Sequence, residues 1–519
     1  MRRRIVITVL LIISLTLIFL GAIKERIKAS SVRPVVNYDM RRLKDLFYTF
    51  MAYNDKKYPP VSYEEIKADS WPVMKRDFDK LESALRKEAG IFFQDTLASE
   101  KNNAGSKGEE LKFSIRSGEN KIILPDDRGS IEGFSIKNDS EDFLRGLIFT
   151  FNGRDWSSVG SIIAEAKEKK YSEEEKALFI WKLLSDNITH FDVPYVGYCY
   201  DPVMMLNVTG YGKCDDMSGS FIVLARALGL KSRAWFLTGH VVPEVYYNNA
   251  WHMLDSDQGV FYLARDGNHI AGVEEIAKDA PYLIGRTPEP KYSNKERFIK
   301  VYSTEQDNEV VKNFANMVRL PGRVEFDLLP GEELSFLYSG SPLWYVFDYL
   351  SRPPSVGMVT DTINIADRKI FGYFENYGMG FDGEAIKTHA DKAFVISSQR
   401  LPYPILDARL ELDCEGVGYV ETYFSRDGNS WTRVGVIEGC KGSISFKRML
   451  NNFNALPDYR YYIKTVFPAG VTIKNFIMKA YAQANPRGAF PLTGGENTIE
   501  FVGAEAAELE FSVRFSGRE

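Results

Sequence analysis

A chain of 519 residues with 45% hydrophobic and 26% charged side chains has the make-up of a globular protein of several domains, which excludes wholesale disorder. A formal net charge of −5, with no basic stripe beyond the N-terminus, excludes a nucleic-acid-binding footprint.

The chain opens on Met1-Arg2-Arg3-Arg4, and residues 5–23 then carry no charge. As a helix this run spans about 28 Å at about 1.5 Å per residue, enough for a bilayer core. Arginines ahead of the span favour a cytoplasmic N-terminus and an extracytoplasmic body, held by an uncleaved signal anchor. The alternative is a cleaved signal near Gly21-Ala22 and a secreted protein. Leu43, Leu46, Phe47 and Phe50 keep helical spacing, as do Phe78, Leu81 and Leu85, so residues 38–100 read as helical, with a break at Tyr58-Pro59-Pro60. Lys101-Asn102-Asn103-Ala104-Gly105-Ser106-Lys107-Gly108 is a linker by composition.

A short strand region follows, then predicted helices at 141–151 and 172–186, the second opened by a capping box of Ser172 and Glu175. From about 305 alternating patterns such as Val324-Glu325-Phe326-Asp327-Leu328 predict strands, with a Pro330-Gly331 turn. A further strand set begins near 396 and includes a hairpin turning at Asp427-Gly428. Trp431 beside that turn reads as core filling, or else as part of a hairpin resembling carbohydrate-binding sandwiches. Cys414 and Cys440 are candidates for a disulfide, which export permits, or for two buried thiols. Asn187-Ile188-Thr189 and Asn207-Val208-Thr209 match the glycosylation sequon.

The residues with chemistry lie between 212 and 265. In Gly212-Lys213-Cys214-Asp215-Asp216-Met217-Ser218, the spacing of Met217, Phe221, Leu224 and Leu228, with Gly229 beyond, places Cys214 in the first turn of an amphipathic helix. The helix dipole and free N–H groups there stabilise a thiolate, whereas Asp215 and Asp216 oppose it, so an imidazolium is needed nearby. Residues 239–255 read as two strands joined by an Asn248-Asn249 turn. In that register Tyr247 faces Ala250, and Asp255 lies opposite Val242. His240 and Asp255 then become diagonal neighbours on one face, with Cβ atoms roughly 7–8 Å apart. His252 points the other way.

These residues resemble the motifs of the transglutaminase-like superfamily: Gly212/Cys214/Asp216 before a helix, His240/Glu244/Val245, and Trp251/Asp255. The resemblance covers roughly residues 136–290. The aromatic that is common two places after the histidine is absent, since Val242 and Pro243 stand there, which bears on cleft shape more than on the triad. The resemblance implies a multidomain α+β chain. A papain/transglutaminase-like core, with its cysteine helix packed on an antiparallel sheet, precedes C-terminal all-β sandwich-like domains. The expected spans are a signal anchor at 1–28, a helical region and linker at 29–110 and a catalytic domain at 111–300, followed by a β-rich domain at 301–395 and a β-sandwich at 396–519.

It further implies acyl transfer at amide bonds through a Cys214-His240-Asp255 triad, with Glu244 and Trp251 in support. No cofactor and no metal are expected. The expected partners are a protein or peptide substrate, cell-envelope or glycan-associated material included, and a membrane at the N-terminal helix. One oxyanion donor is the Cys214 N–H, and Tyr198 or Tyr200 is the upstream candidate for the second. Competing readings are a binding module that retains the fold, a zinc site on the same three residues, and a glycan hydrolase using paired carboxylates. No Cys-x-x-Cys or His-x-x-x-His spacing supports zinc, and no carboxylate pair is singled out. Cys199 has no assigned role.

Overall fold

The computed structural model describes residues 110–116, 118–124, 131–191, 201–303, 309–311, 323–338, 357–416, 418–450, 458–485, 496–503 and 508–515. The apolar segment at 5–23, the helical region, the linker, Tyr198, Cys199 and Tyr200 lie outside the described residues. Among the described residues no helix is long and apolar enough to cross a membrane.

Four strands open the described chain: β1 (Glu110–Ile115), β2 (Lys121–Leu124), β3 (Ile131–Asn138) and β4 (Leu144–Phe151). β4 occupies the stretch predicted as a helix at 141–151. Its short apolar run, Leu147 to Phe151, is buried on both faces, and such a run carries no period that separates strand from helix. Gly146, at φ +68°, supplies the irregular backbone that a helix would not contain. The helix α1 (Glu173–Asn187) forms as its sequence dictates: Ser172 accepts from the Glu175 N–H and Glu175 accepts from the Ser172 N–H.

Next come the parallel pair β5 (Thr189–His190) and β6 (Tyr211–Gly212), and the helix α2 (Cys214–Ala227). An antiparallel sheet is then built from β7 (Lys231–Leu237), β8 (His240–Tyr247), β9 (Ala250–Met253) and β10 (Glu309–Val311), in the order β10-β7-β8-β9. Helices α3 (Val273–Gly285) and α4 (Lys295–Ser303) lie between β9 and β10 in the chain. Period-two alternation divides this sheet between two cores. Ala234 and Val241 pack with Ile222 of α2, whereas Trp235, Val242 and Met253 pack with Ile276, Leu283 and Phe298 of α3 and α4.

The remaining strands belong to a β assembly through which the N-terminal strands are threaded. β11 (Phe326–Leu328), β12 (Glu333–Leu337) and β13 (Gly357–Asn364) follow the α/β part. Strands β14 (Glu375–Tyr377), β15 (Met379–Asp382), β16 (Ala385–Thr388) and β17 (Ala393–Arg400) precede β18 (Ile405–Glu415), β19 (Tyr419–Ser425), β20 (Thr432–Glu438) and β21 (Lys441–Ser445). The chain ends on β22 (Arg460–Phe467), β23 (Thr472–Ala484), β24 (Asn497–Val502) and β25 (Leu509–Phe515). One sheet runs β1-β25-β3-β12-β13-β23, another β11-β4-β24-β2, and a third β14-β17-β22-β19-β20. Residues between β4 and β11 therefore leave and re-enter the same sheet, since those two strands pair with each other.

Cys414 and Cys440 form a disulfide, with Cα atoms 5.2 Å apart. Trp431 is only half-buried; Val420 and Phe424 fill the core at that hairpin instead. Asn207 is fully buried and its amide donates to the carbonyls of Trp156 and Val203, so its sequon has no room for a glycan.

Candidate active site

Cys214 is the first residue of α2. The Asp216 carboxylate accepts from the Lys213 N–H at 2.9 Å, closing the helix N-terminus at the residue before Cys214. At the far end Gly229, at φ +82°, lets the Leu230 N–H reach back to the Ala225 carbonyl, as its position in the sequence predicts. The N–H groups of the first turn, that of Cys214 included, have no helical carbonyl one turn before them.

The approach to Cys214 is equally fixed. A π-helical turn at Met205–Thr209 ends on Gly210 at φ +65°, where an added Cβ would stand 2.5 Å from Asn485. The Asn485 amide donates to the Leu206 carbonyl at 2.8 Å, and the Gln483 amide donates to the Tyr211 hydroxyl at 3.0 Å. The end of β23 thus braces the segment that leads into the nucleophile position. Sequence reasoning missed both residues because nothing local marks a contact across 272 residues.

His240 is the first residue of β8, and Asp255 stands two residues past β9. Asn248 and Asn249, at φ +46° and +61°, make the two-residue turn, so Tyr247 pairs with Ala250 and Glu244 with Met253. This register brings the side chains together: His240 Nε2–H donates to Asp255 Oδ2 at 2.6 Å, and Asp255 Oδ1 accepts from the Gln258 N–H at 3.0 Å. The Cys214 thiol lies beside the His240 imidazole, which favours its thiolate form. With Nε2 committed to the carboxylate, Nδ1 is the ring nitrogen left for sulfur. Phe298 of α4 packs edge-on against the imidazole at 5.0 Å between ring centroids. The Trp181 indole N–H donates to the Asp255 carbonyl at 3.1 Å, tying the loop to α1.

Electrostatics follow from this packing. Burial pulls the His240 imidazolium down, but the adjacent Asp255 carboxylate outweighs it and holds His240 well above the ordinary histidine range. Burial pushes the Cys214 thiol up, against the neighbouring charge of His240. A thiolate here depends on the imidazolium beside it.

The other residues singled out from sequence fall elsewhere. His252 is buried, with Nδ1 2.5 Å from the Ile270 carbonyl oxygen and Nε2 3.1 Å from that of Tyr247, each of which accepts from a ring N–H, and it stacks on the Tyr247 ring at 3.7 Å. Glu244 is fully buried and accepts from Arg233, the Trp235 indole and the Val273 N–H, each at 2.6 Å. It clasps β7 and the start of α3 to β8. Trp251 lies under the Arg233 guanidinium at 4.0 Å.

Two residues beside Cys214, His240 and Asp255 escaped sequence reasoning. Asp257 is buried, and its Oδ1 lies 2.7 Å from His190 Nδ1. Its other oxygen accepts from the Gln258 amide at 2.8 Å. Ligand atoms of His240, Asp255 and Asp257 lie within 4.8 Å of one another, so these three are the described residues able to hold a cation. Their oxygens are already occupied by imidazole, amide and backbone donors. The arrangement suits a cysteine nucleophile with an oriented imidazole.

Residues 160–256 match the transglutaminase-like superfamily. No curated protein matches the sequence. Three solved structures give low likenesses. A CBM29-2 mutant studied for ligand recognition by family 29 carbohydrate binding modules is 16% identical at TM-score 0.16, covering 23% of this chain and 85% of that one. The CBM36-1 domain of a multidomain xylanase from the hindgut metagenome of Trinervitermes trinervoides is 11% identical at TM-score 0.12, covering 31% and 99%. The Podospora anserina GH26-CBM35 beta-(1,4)-mannanase is 10% identical at TM-score 0.12, covering 31% and 28%. At these scores the likenesses carry no argument.

Proposed function

Because residues 160–256 form a domain of the transglutaminase-like superfamily, we propose that the chain is a thiol enzyme that acts on amide bonds. The observation that carries this reading is the single imidazole of His240, hydrogen-bonded to Asp255 and beside Cys214. Cys214 attacks an amide carbonyl as the thiolate, with its proton on His240. The tetrahedral oxyanion is met by the Cys214 N–H at the start of α2. His240 passes the proton to the leaving amine, the C–N bond breaks, and a thioester remains on Cys214. Water resolves it to an acid, or an amine resolves it to a new amide. Asp255 fixes the imidazole tautomer and stabilises the imidazolium between these steps. Glu244 and Trp251 keep the hairpin and its flanking helix in place and take no part in bond making.

The substrate in this reading is a protein or peptide of the cell envelope, glycan-associated ones included, met by a body held outside the membrane by residues 5–23. The outer face of the third sheet, where Tyr377 stacks beside Phe394 at 5.8 Å, offers rings of the kind on which sugars stack. The test is to profile the purified protein against peptide, isopeptide and glutamine-donor libraries, with and without attached glycan. Cys214→Ala should reduce any activity found to background. Activity that survives this change would contradict the reading, and no activity of the unaltered protein on any library would favour the runner-up, a binding module in which the three residues are carried without chemistry.

A further inference from the structure

Asp257 is not needed by the chemistry proposed for Cys214, yet it is built into the same turn as Asp255. That turn is closed by paired backbone hydrogen bonds between Asp255 and Val260, and Gly259 at φ +65° completes it. Two carboxylates from one tight turn therefore converge on His240, whose ligand nitrogen lies within 4.8 Å of both. The second carboxylate has its own imidazole. His190 ends β5, which pairs in parallel with β6 so that His190 lies beside Gly212, two residues before Cys214. A strand and a turn thus bring a second imidazole–carboxylate couple against the first, on the side from which the nucleophile strand enters.

The two rings differ in exposure: the His190 side chain is 32% exposed, while the Asp257 side chain is 1% exposed. A carboxylate so buried is costly unless paired, and among the described residues His190 and the Gln258 amide pair it directly. Resting on the reading of Cys214 and His240 given above, we propose that Asp257, held in place by His190, is a positioning residue. Its charge, within 4.8 Å of the ligand nitrogen of His240, favours the imidazolium beside Cys214.

Among the described residues, the charged and titratable groups facing this pair are Cys214 and Asp215 on α2, His190 on β5, Asp255 on the same turn, and Tyr292 beyond α3. The charges of both imidazoles hold the Asp257 carboxyl below its ordinary range, against the opposing effect of burial, so it stays ionised across neutral pH. Its negative charge in turn raises the Cys214 thiol. Removing that charge lowers the pH at which the thiol ionises and weakens the hold on the imidazolium.

The test is the pH dependence of iodoacetamide alkylation at Cys214 in the full chain, read by peptide mass spectrometry. Asp257→Asn should move the midpoint to lower pH by about half a unit or more. His190→Gln, which leaves the Asp257 charge in place, should move it by less, and Asp257→Glu should keep the wild-type profile. Melting curves that match the wild type establish that every variant is folded. An unchanged midpoint in Asp257→Asn would overturn the proposal while leaving the Cys214 reading intact. A wild-type Cys214 that alkylates like an ordinary thiol, with no response to His240→Ala, would overturn both.

Discussion

His240→Ala should lower amide-bond turnover by about 10³-fold or more, because it removes the proton carrier and the imidazolium partner together. His252→Ala should leave most of the turnover. The contrast is sharp because His252 is the histidine nearer to Asp255 in sequence, and a reader of the sequence could pair the two. The side chains show otherwise. His240 Nε2 reaches Asp255 Oδ2 at 2.6 Å, whereas both ring nitrogens of His252 are spent on the carbonyls of Ile270 and Tyr247. Loss of the His252 ring removes its stacking on Tyr247 and should appear as lower stability with little change in kcat. Steady-state kinetics with melting curves for both variants separate the two effects. Comparable loss of kcat in His252→Ala, with an unchanged melting curve, would contradict the assignment.

The second large effect concerns stability and lies in the β assembly. Glu332 and Asp361 are both buried, with their carboxyl groups beside each other. Asp361 Oδ2 accepts from the Gln399 amide at 3.0 Å, but Oδ1 has no donor among the described residues unless Glu332 carries a proton. Burial, with the Asp361 charge beside it, holds Glu332 well above the ordinary carboxyl range, and burial pushes Asp361 up to about 6. A carboxyl group raised in the folded state contributes its full stability below its unfolded pKa and loses it as pH rises through the folded value. One pKa unit is about 1.4 kcal/mol, so the pair should lose on the order of 3 kcal/mol as pH rises from about 4 to neutrality and above.

Glu332→Gln supplies a permanent donor to Asp361 and keeps an oxygen for the Leu329 N–H, which Glu332 Oε2 accepts at 2.6 Å. The variant should therefore melt about 5 °C higher than wild type at pH 8, with the gap closing near pH 4. His240 and the buried Asp201, pushed up to about 7, titrate in the same sense, so the difference between the two proteins isolates Glu332. A variant less stable than wild type at pH 8 would show that no proton is shared there.

How much of this was legible in the sequence depends on how local each signal is. The helix start at Cys214 and the capping box at Ser172 were legible because cap and turn chemistry act over a few residues. The hairpin register was legible for the same reason: two asparagines at positive φ permit one pairing, and alternation then sets which side chains meet. β4 was misread because Leu147 to Phe151 is buried on both sides and shows no period. The pairing of β1 with β25 and of β4 with β11 was not legible, since strand partners far apart in the chain leave no mark on each other's pattern. Asp257 and His190 escaped because their meeting depends on a turn at 255–260 and on a two-residue parallel pair, neither of which has a sequence signature.

The most direct measurement is the rate of iodoacetamide labelling at Cys214 and at Cys199 at neutral pH, in the wild type and in His240→Ala. Cys214 at the head of α2, beside His240, should label faster than Cys199, and the advantage should collapse when the imidazole is removed. Slow and equal labelling of both thiols, unchanged in His240→Ala, would contradict the claim that Cys214 is an activated nucleophile.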